Sequence, residues 1–460
     1  MKEEQYTRFW HRSLPDGLSY SGGVHDATRV DYLADKTWTD DSGERHVEQE
    51  IFDAVFDMIA RARRLIVLDM FLYNDFQAKK PETTRRLSSE LTAALVKQVE
   101  THPEIRVVVI TDPINTLYGS YESPDFARLA AAGGRVVITD LTRLRDSNPL
   151  YSFVWRTLLR PLGNSGRGRL PNPFDRRGRA TLRSYLEMLN FKANHRKLVV
   201  ADDADELVGL VTSANPHDAS SAHANVAVRF TGAAVENLLQ TEIAILQLSG
   251  ADPQLPALEA PCQSPGMTVQ VLTERAIKTA ALELIASAAK DEHLDLATFY
   301  LSDRDVIAEL KRAKARGVCL RVLLDPNKDA FGHSKFGIPN RSVAAELVRA
   351  GIEVRWSHTH GEQCHVKMLC KLAGNGDGSL LLGSANLTRR NLDDFNLETN
   401  VLVRGPGATG FVRKVQAHFD LLWYNEPGRT FTVPYEHYRN ESIVKTLLYR
   451  FMEATGFCTF

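Results

Sequence analysis

The chain has 460 residues, 43% hydrophobic and 25% charged, which supports two packed cores and excludes a disordered chain, a collagen-like repeat and a disulfide miniprotein. Lys+Arg (56) and Asp+Glu (57) cancel to a net charge of −1, so any polyanion site must be local. Five cysteines (Cys262, Cys319, Cys364, Cys370, Cys458) at irregular spacing fit free thiols in a reducing compartment and give no zinc ribbon. The opening MKEEQYTRFW has no apolar core of a signal peptide, and no run approaches the roughly 18 apolar residues of a spanning helix. The expected location is therefore cytoplasmic, with any membrane contact made from the surface.

In chain order, Ile51, Val55 and Ile59 mark a helix over Gln49 to Arg64, and the run LIVLDMFLY (65–73) reads as a buried strand. A helix over Ser88 to Thr101 leads to a strand over Ile105 to Thr111, and a short helix leads to another over Arg135 to Thr139. Past residue 270 the order returns: helix 275–289, strand 294–301, helix 306–316, strand 319–325, helix 342–350, strand 352–356. Alternating helices and apolar strands predict an α/β fold. Local matches point to a duplication: Asp112-Pro113 with Asp325-Pro326, AGGRVVI with AGIEVRW, and ANVAVR (224–229) with TNVLVR (399–404). The proline-rich stretch 251–265 is the expected linker between an N-terminal lobe (1–250) and a C-terminal lobe (266–460).

The copies differ by about 43 extra residues in the first, at roughly 145–190, comparing Asp112–His195 with Asp325–His365. Arg143 to Lys192 carries a net charge of +8, interleaved with Tyr151, Phe153, Trp155, Leu158, Leu159 and Leu162. This suits an anionic lipid surface, with Trp155, Arg156, Arg160, Arg167 and Arg169 as candidate headgroup contacts. A solvated helical hairpin and a nucleic-acid backbone site are the other readings.

Each copy carries His-x-Lys: His195-Arg196-Lys197 and His365-Val366-Lys367. On a strand, residues i and i+2 share a face, so each His projects with its Lys. About 20 residues on come TSAN (212–215) and GSAN (383–386), which add Asn215 and Asn386, with Ser213 and Ser384 behind them. Two histidines, two lysines and two asparagines suit phosphodiester chemistry. Fixed positive charge and amide donors stabilise the phosphoryl transition state, one imidazole attacks phosphorus, and the other moves the proton. The lysines supply the charge a metal would otherwise bring, so no metal or other cofactor is expected.

HRKLVVAD with TSAN, and HVK with GSANLT, resemble the paired HxKxxxxD–GSxN signatures of the phospholipase D superfamily, over residues 50–425. Length and organisation are most similar to its cardiolipin synthase and phosphatidylserine synthase branch. The resemblance implies two α/β/α lobes with mixed sheets, related by a pseudo-two-fold, with one site between them. It also implies His195 as nucleophile and His365 as acid/base. The second copy departs from the pattern, with Leu372 where the first has Asp202. The odd His-to-Asp spacing turns Asp202 away from His and Lys, a supporting position whose loss is tolerable. Glu398 resembles the family's histidine-orienting Glu. Aligning ANVAVR with TNVLVR puts His223 at the matching place, so a carboxylate is expected on His365 and none on His195. Cys364 reads as packing. His217 and His223 are possible pocket residues, and 441–457 reads as a docked C-terminal helix.

The resemblance thus implies a phosphatidyltransferase acting on phospholipids at an anionic membrane surface, as monomer or dimer, without nucleic acid. Phospholipase D hydrolysis is the close alternative. A nuclease and a non-catalytic lipid-binding scaffold are the more remote readings.

Overall fold

The structure, a computed structural model, describes residues 17–77, 83–164, 166, 168–204, 206–256, 266–330, 333–440, 442–456 and 458. It is an α/β protein of two lobes, each built on a mixed sheet. The first sheet runs, in spatial order, Arg45–Glu48, Val30–Thr39, Asn225–Thr231, Glu206–Thr212, Lys197–Asp203, Leu65–Met70, Arg106–Thr111 and Arg135–Ile138. The second runs His25–Ala27, Met267–Thr273, Thr399–Gly405, Gly378–Gly383, Lys367–Leu372, His293–Thr298, Cys319–Leu324, Glu353–Ser357 and Thr432–Pro434. Seven strands repeat in the same spatial order, which is the duplication read from the sequence. In each copy the three strands carrying the apolar runs are parallel and the His-x-Lys strand pairs antiparallel to the first of them. The parallel strands are covered on both faces, which is why they read as unbroken apolar runs rather than alternating ones.

Helices Ile51–Arg61 and Leu87–Thr101 bury Ile51, Val55, Ile59, Leu91 and Leu95 on the outer face of the first sheet. Helices Arg275–Ala286, Arg304–Ala315 and Asn340–Arg349 do the same for the second. The inner faces meet each other. Leu198, Val200, Val226 and Val228 of one sheet join Val366, Met368, Leu382 and Val401 of the other in one continuous core. Helices Ala234–Leu248 and Gly410–Tyr424 contribute to it from either lobe. Strand His25–Ala27 joins the second sheet whereas the next strand, Val30–Thr39, joins the first, so the N-terminal segment also bridges the lobes. The expected linker is described only as far as 256.

Where element ends differ from the sequence reading, distant side chains explain it. The first helix starts at Ile51 because Asp35, on a separate strand, accepts the N–H groups of Glu50 (2.9 Å) and Ile51 (3.1 Å). It stops at Arg61 because the Asp202 carboxylate takes the N–H groups of Arg63, Arg64 and Leu65, the last at 2.7 Å. Asp202 thus faces away from its own His and Lys and shapes the turn into the central strand. In the second copy, Glu292 caps the corresponding turn from within it, accepting from Ala289 N and Gly374 N, and Leu372 is free to pack.

The basic insertion is mostly short helical turns. Pro149–Val154, Trp155–Leu159 and Arg160–Leu162 run on from one another, followed by a two-stranded hairpin and the helix Leu182–Met188. Its second-copy counterpart is the short stretch between Glu353–Ser357 and Lys367–Leu372.

Asp202→Ala leaves three N–H donors without their acceptor and is expected to cost about 2–3 kcal/mol of stability. Urea unfolding measures it, and a change below about 0.5 kcal/mol, the ordinary scatter of surface substitutions, would contradict the assigned role.

Candidate active site

Each His-x-Lys segment is fastened to the opposite lobe through its backbone. His195 N donates to Leu397 O (2.9 Å) and Leu397 N to Ala193 O (3.0 Å). In the other half, His365 N donates to Ala224 O (2.9 Å) and Ala224 N to Gln363 O (3.1 Å). Behind each histidine stands the aspartate of an Asp-Pro pair. Asp112 accepts from Asn194 N (2.8 Å) and Asp325 from Cys364 N (2.9 Å), the residues just before the two histidines. Burial pushes these carboxyls up to about 7 and about 6 respectively. The repeated Asp-Pro noticed in the sequence is therefore part of the site's scaffold.

The rings are held at Nδ1. His195 Nδ1 lies 2.9 and 3.0 Å from the two oxygens of Glu398, a residue of the other lobe. Glu398 is fully buried and also accepts from Ser384 Oγ and Asn391 Nδ2. His365 Nδ1 donates to Ser213 O (2.9 Å), with Asn225 Oδ1 at 3.3 Å, and Ser213 Oγ in turn donates to Asn225 Oδ1 (3.0 Å). This reverses the expectation from sequence. The carboxylate serves His195, and His365 has a neutral amide and a carbonyl.

The source of the misreading is a register error of two. Strand pairing sets Thr212 opposite Ala227 and Gly383 opposite Asn400, so Asn225, not His223, is the counterpart of Glu398. A slip of two residues keeps the inside–outside alternation, so ANVAVR and TNVLVR match in pattern while misaligned. His223 lies beside His365, ring centroids 5.9 Å apart. Both ring nitrogens of His217 are taken up, by Phe76 O and Ser220 Oγ.

Both lysines project with their histidines, as the period-two argument requires. Lys197 Nζ is 2.6 Å from His195 O and 5.1 Å from the Phe71 ring centroid. Lys367 Nζ is 2.9 Å from His365 O and 5.4 Å from the Phe299 ring centroid. Those phenylalanines also contact the imidazoles, at 4.7 and 5.1 Å between centroids. Phe71 and Phe299 were not singled out in the sequence, although both directly follow the central strand of their copy. Asn215 Oδ1 accepts from Leu72 N (3.2 Å), and Asn386 Oδ1 is buried with no hydrogen-bond partner among the described residues.

The electrostatics are those of a site short of negative charge. Burial lowers His195 to about 4, opposed by Glu398 and reinforced by Lys197 and Lys367. Burial and the two lysines push His365 well below the ordinary imidazole range. Lys197 falls to about 7 through burial, and Lys367 drops through burial and its repulsion by Lys197. Each group is influenced by members of the other copy, so the two motifs share one field. An anion placed among them relieves this repulsion.

Beneath the site lies a second cross-lobe device that the sequence reading missed. Arg196, between the paired His and Lys, turns to the opposite face and is fully buried. Its guanidinium meets Glu242 (2.8 Å) and Glu274 (2.7 Å), both fully buried. Glu274 Oε1 also accepts Glu398 N (3.1 Å), which ties this ion cluster to the residue that orients His195. The second copy has Val366 here, packed in the core.

Of the expected headgroup contacts, Arg160 and Arg169 are exposed and Arg167 lies outside the described residues. Trp155 is buried at 7% exposure, and Arg156 is half-buried on Asp146 (2.6 Å). Trp155 therefore supports the insertion from inside and does not face a surface, while Arg156 is held by an ion pair. Cys364 is buried in the core between the sheets.

The architecture is two-lobed, with one His-x-Lys segment contributed by each lobe. Residues 281–423 match the family described as Cardiolipin synthase, PLD-like domain. The crystal structure of phosphatidylserine synthase from Haemophilus influenzae Rd KW20 is similar with a TM-score of 0.57 at 11% identity, covering 99% of this chain and 98% of that one. Polyphosphate kinase from Porphyromonas gingivalis follows at TM-score 0.46 and 14% identity, over 88% of this chain and 51% of that one. Nuc, a phospholipase D family member from Salmonella typhimurium, has TM-score 0.28 and 18% identity, over 36% of this chain and 97% of its own. The first likeness shows the fold, and the other two are too distant to add to it. No curated protein matches the chain. The second lobe thus matches a cardiolipin synthase-type PLD-like domain, and the whole chain shares its fold with the phosphatidylserine synthase structure.

Replacing Glu398 by Gln removes the negative charge that favours the His195 imidazolium. The NMR titration midpoint of His195 is expected to fall further below the ordinary imidazole range than in the wild type, and that of His365 to move less. A shift confined to His365 would contradict the assignment.

Proposed function

We propose that the protein is a phosphatidyltransferase of the cardiolipin synthase type, working on phospholipid phosphodiesters through a phosphohistidine on His195. The observation that supports this reading is the holding of both imidazoles at Nδ1, which leaves each Nε2 for chemistry. Nδ1–H of His195 donates to Glu398, so Nε2 keeps its lone pair and attacks phosphorus. As the N–P bond forms, the P–O bond to the head alcohol breaks, and the departing oxygen takes a proton from His365 Nε2. The phosphorylated ring is cationic, and Glu398 lies against that charge.

An acceptor alcohol then returns a proton to His365 while its oxygen attacks phosphorus. The N–P bond breaks, and His195 is neutral again. Lys197, Lys367, Asn215 and Asn386 surround the phosphoryl oxygens with charge and amide groups. His365 must be protonated for the first step although burial and the lysines oppose it. The substrate's own negative charge reduces that opposition, so the acid is charged when a diester is bound.

Transfer and hydrolysis share the first step and differ in which hydroxyl reaches the intermediate. Burial of both histidines at 8% exposure limits access by bulk water and favours transfer to an alcohol held with the donor.

Purified protein with phosphatidylglycerol in detergent, with and without added glycerol or ethanolamine, tests this by mass spectrometry of the lipids. Exchanged phospholipid is expected as the main product, unchanged by EDTA because lysines supply the charge. His195→Ala should lower turnover by at least 10³-fold, the order expected on losing a nucleophile. Phosphatidic acid as the sole product would assign hydrolysis instead, and undiminished turnover of His195→Ala would overturn the mechanism.

A further inference from the structure

The insertion and the C-terminal helix each present a stripe of apolar side chains outward. On the turns spanning 149–162, Leu150, Phe153, Val154, Leu158 and Leu162 are exposed, Leu158 at 66%. Their spacing puts them along one side of the helical path. On the helix Ile443–Thr455, the exposed set is Ile443, Val444, Leu447, Leu448 and Phe451, with Phe451 at 65%. That helix is docked, as expected from sequence, but through Tyr449 and Glu453, with its apolar stripe facing away from the body of the protein. Neighbouring Phe336, whose carbonyl accepts from Lys445 Nζ, is 76% exposed. Soluble domains seldom leave this much clustered aliphatic and aromatic surface uncovered without a use for it.

The end of the C-terminal helix meets the start of the insertion turns close to residues of the candidate site. Gly456, just past the C-terminal helix, lies so close to the start of the insertion turns that a methyl group there would come within 1.8 Å of Ser147 O. Arg390 ties both to the site, donating to Phe191 O at the end of the insertion and to Gly456 O at the end of the helix. Its neighbour Arg389 holds Glu453 through its backbone N–H (3.2 Å). These two arginines follow the GSAN turn with Asn386, and Asn391 just beyond donates to Glu398. The helix is therefore mounted on the loop that builds the catalytic pocket.

We infer that these two helical stripes form a docking surface for an anionic lipid bilayer, which brings the active-site entrance to the headgroup layer. Charge complementarity selects this occupant over a second copy of the chain. Arg160 lies on the insertion turns themselves and Arg450 on the helix, and Arg169, Arg176, Arg177 and Arg179 are exposed further along the insertion; of these Arg177 is paired with Asp75 and Asp175 and Arg450 with Glu346, and the span 143–192 keeps its net charge of +8. Arginine at the margin of an apolar helix face attracts acidic headgroups and would repel its own image across a two-fold. The inference rests on the phospholipid reading above and adds where and how the protein meets its substrate's surface.

The test is co-sedimentation with vesicles of phosphatidylcholine alone and of phosphatidylcholine with phosphatidylglycerol. It uses the whole protein and two double variants, Leu447→Glu/Phe451→Glu and Leu150→Glu/Leu158→Glu. Turnover of a short-chain phosphatidylglycerol below its micellar concentration reports an intact site, and size-exclusion chromatography reports the oligomer. Wild type is expected to prefer the anionic vesicles. Each double variant should weaken that binding at least tenfold and keep short-chain turnover. Binding unaltered in both variants would overturn the inference, as would equal binding to the neutral vesicles, or variants that only convert a dimer to a monomer. Absence of short-chain turnover by wild type would strike at the catalytic reading alone, because vesicle binding is scored separately.

Discussion

The architecture depends on the contact between Glu398 and His195. It joins a carboxylate of the second lobe to the imidazole of the first, more than two hundred residues earlier, where Glu398 is fully buried and His195 nearly so. A buried charge is tolerated only when paired and fully hydrogen-bonded, and Glu398 is satisfied by His195, Ser384 and Asn391 together. Separate the lobes and that carboxylate loses its main counter-group, while His195 loses the group that fixes its tautomer. The reciprocal backbone bonds, His195 to Leu397 and His365 to Ala224, follow the same logic. Neither motif is complete on its own lobe.

Duplication explains why the two halves look alike, and divergence explains why they can play different parts. The strand order, the Asp-Pro anchors, the Phe platforms and the lysines recur. The groups behind the imidazoles do not: a carboxylate in one case, an amide and a carbonyl in the other. In the mechanism proposed above, a carboxylate partner favours the ring that carries positive charge in the covalent intermediate. In the same scheme, a neutral partner favours the ring that gives its proton away. Arg196 marks the same asymmetry underneath, with its two buried glutamates against Val366 in the matching place.

Much of this was legible in the sequence. Unbroken apolar runs gave the strands of an α/β fold, repeated Asp-Pro and His-x-Lys gave the duplication, and period-two geometry gave the shared face of each His and Lys. The odd spacing of Asp202 correctly turned it away from them. Pattern could not give contacts between residues far apart in the chain. A two-residue offset leaves alternation intact, so local similarity pointed to His223 where pairing selects Asn225. Trp155 illustrates the converse limit: an aromatic amid arginines has the composition of a lipid contact, yet it is folded inward while the leucines around it face out.

Whether the two halves make one reaction centre is tested most directly by a crystal structure with bound vanadate. The account predicts a single five-coordinate vanadium bonded to Nε2 of His195, with Nε2 of His365 against the oxygen on its opposite side and both lysines around its equator. Vanadium bonded to His365 with His195 still on Glu398, or two separate anions with one at each histidine, would contradict it.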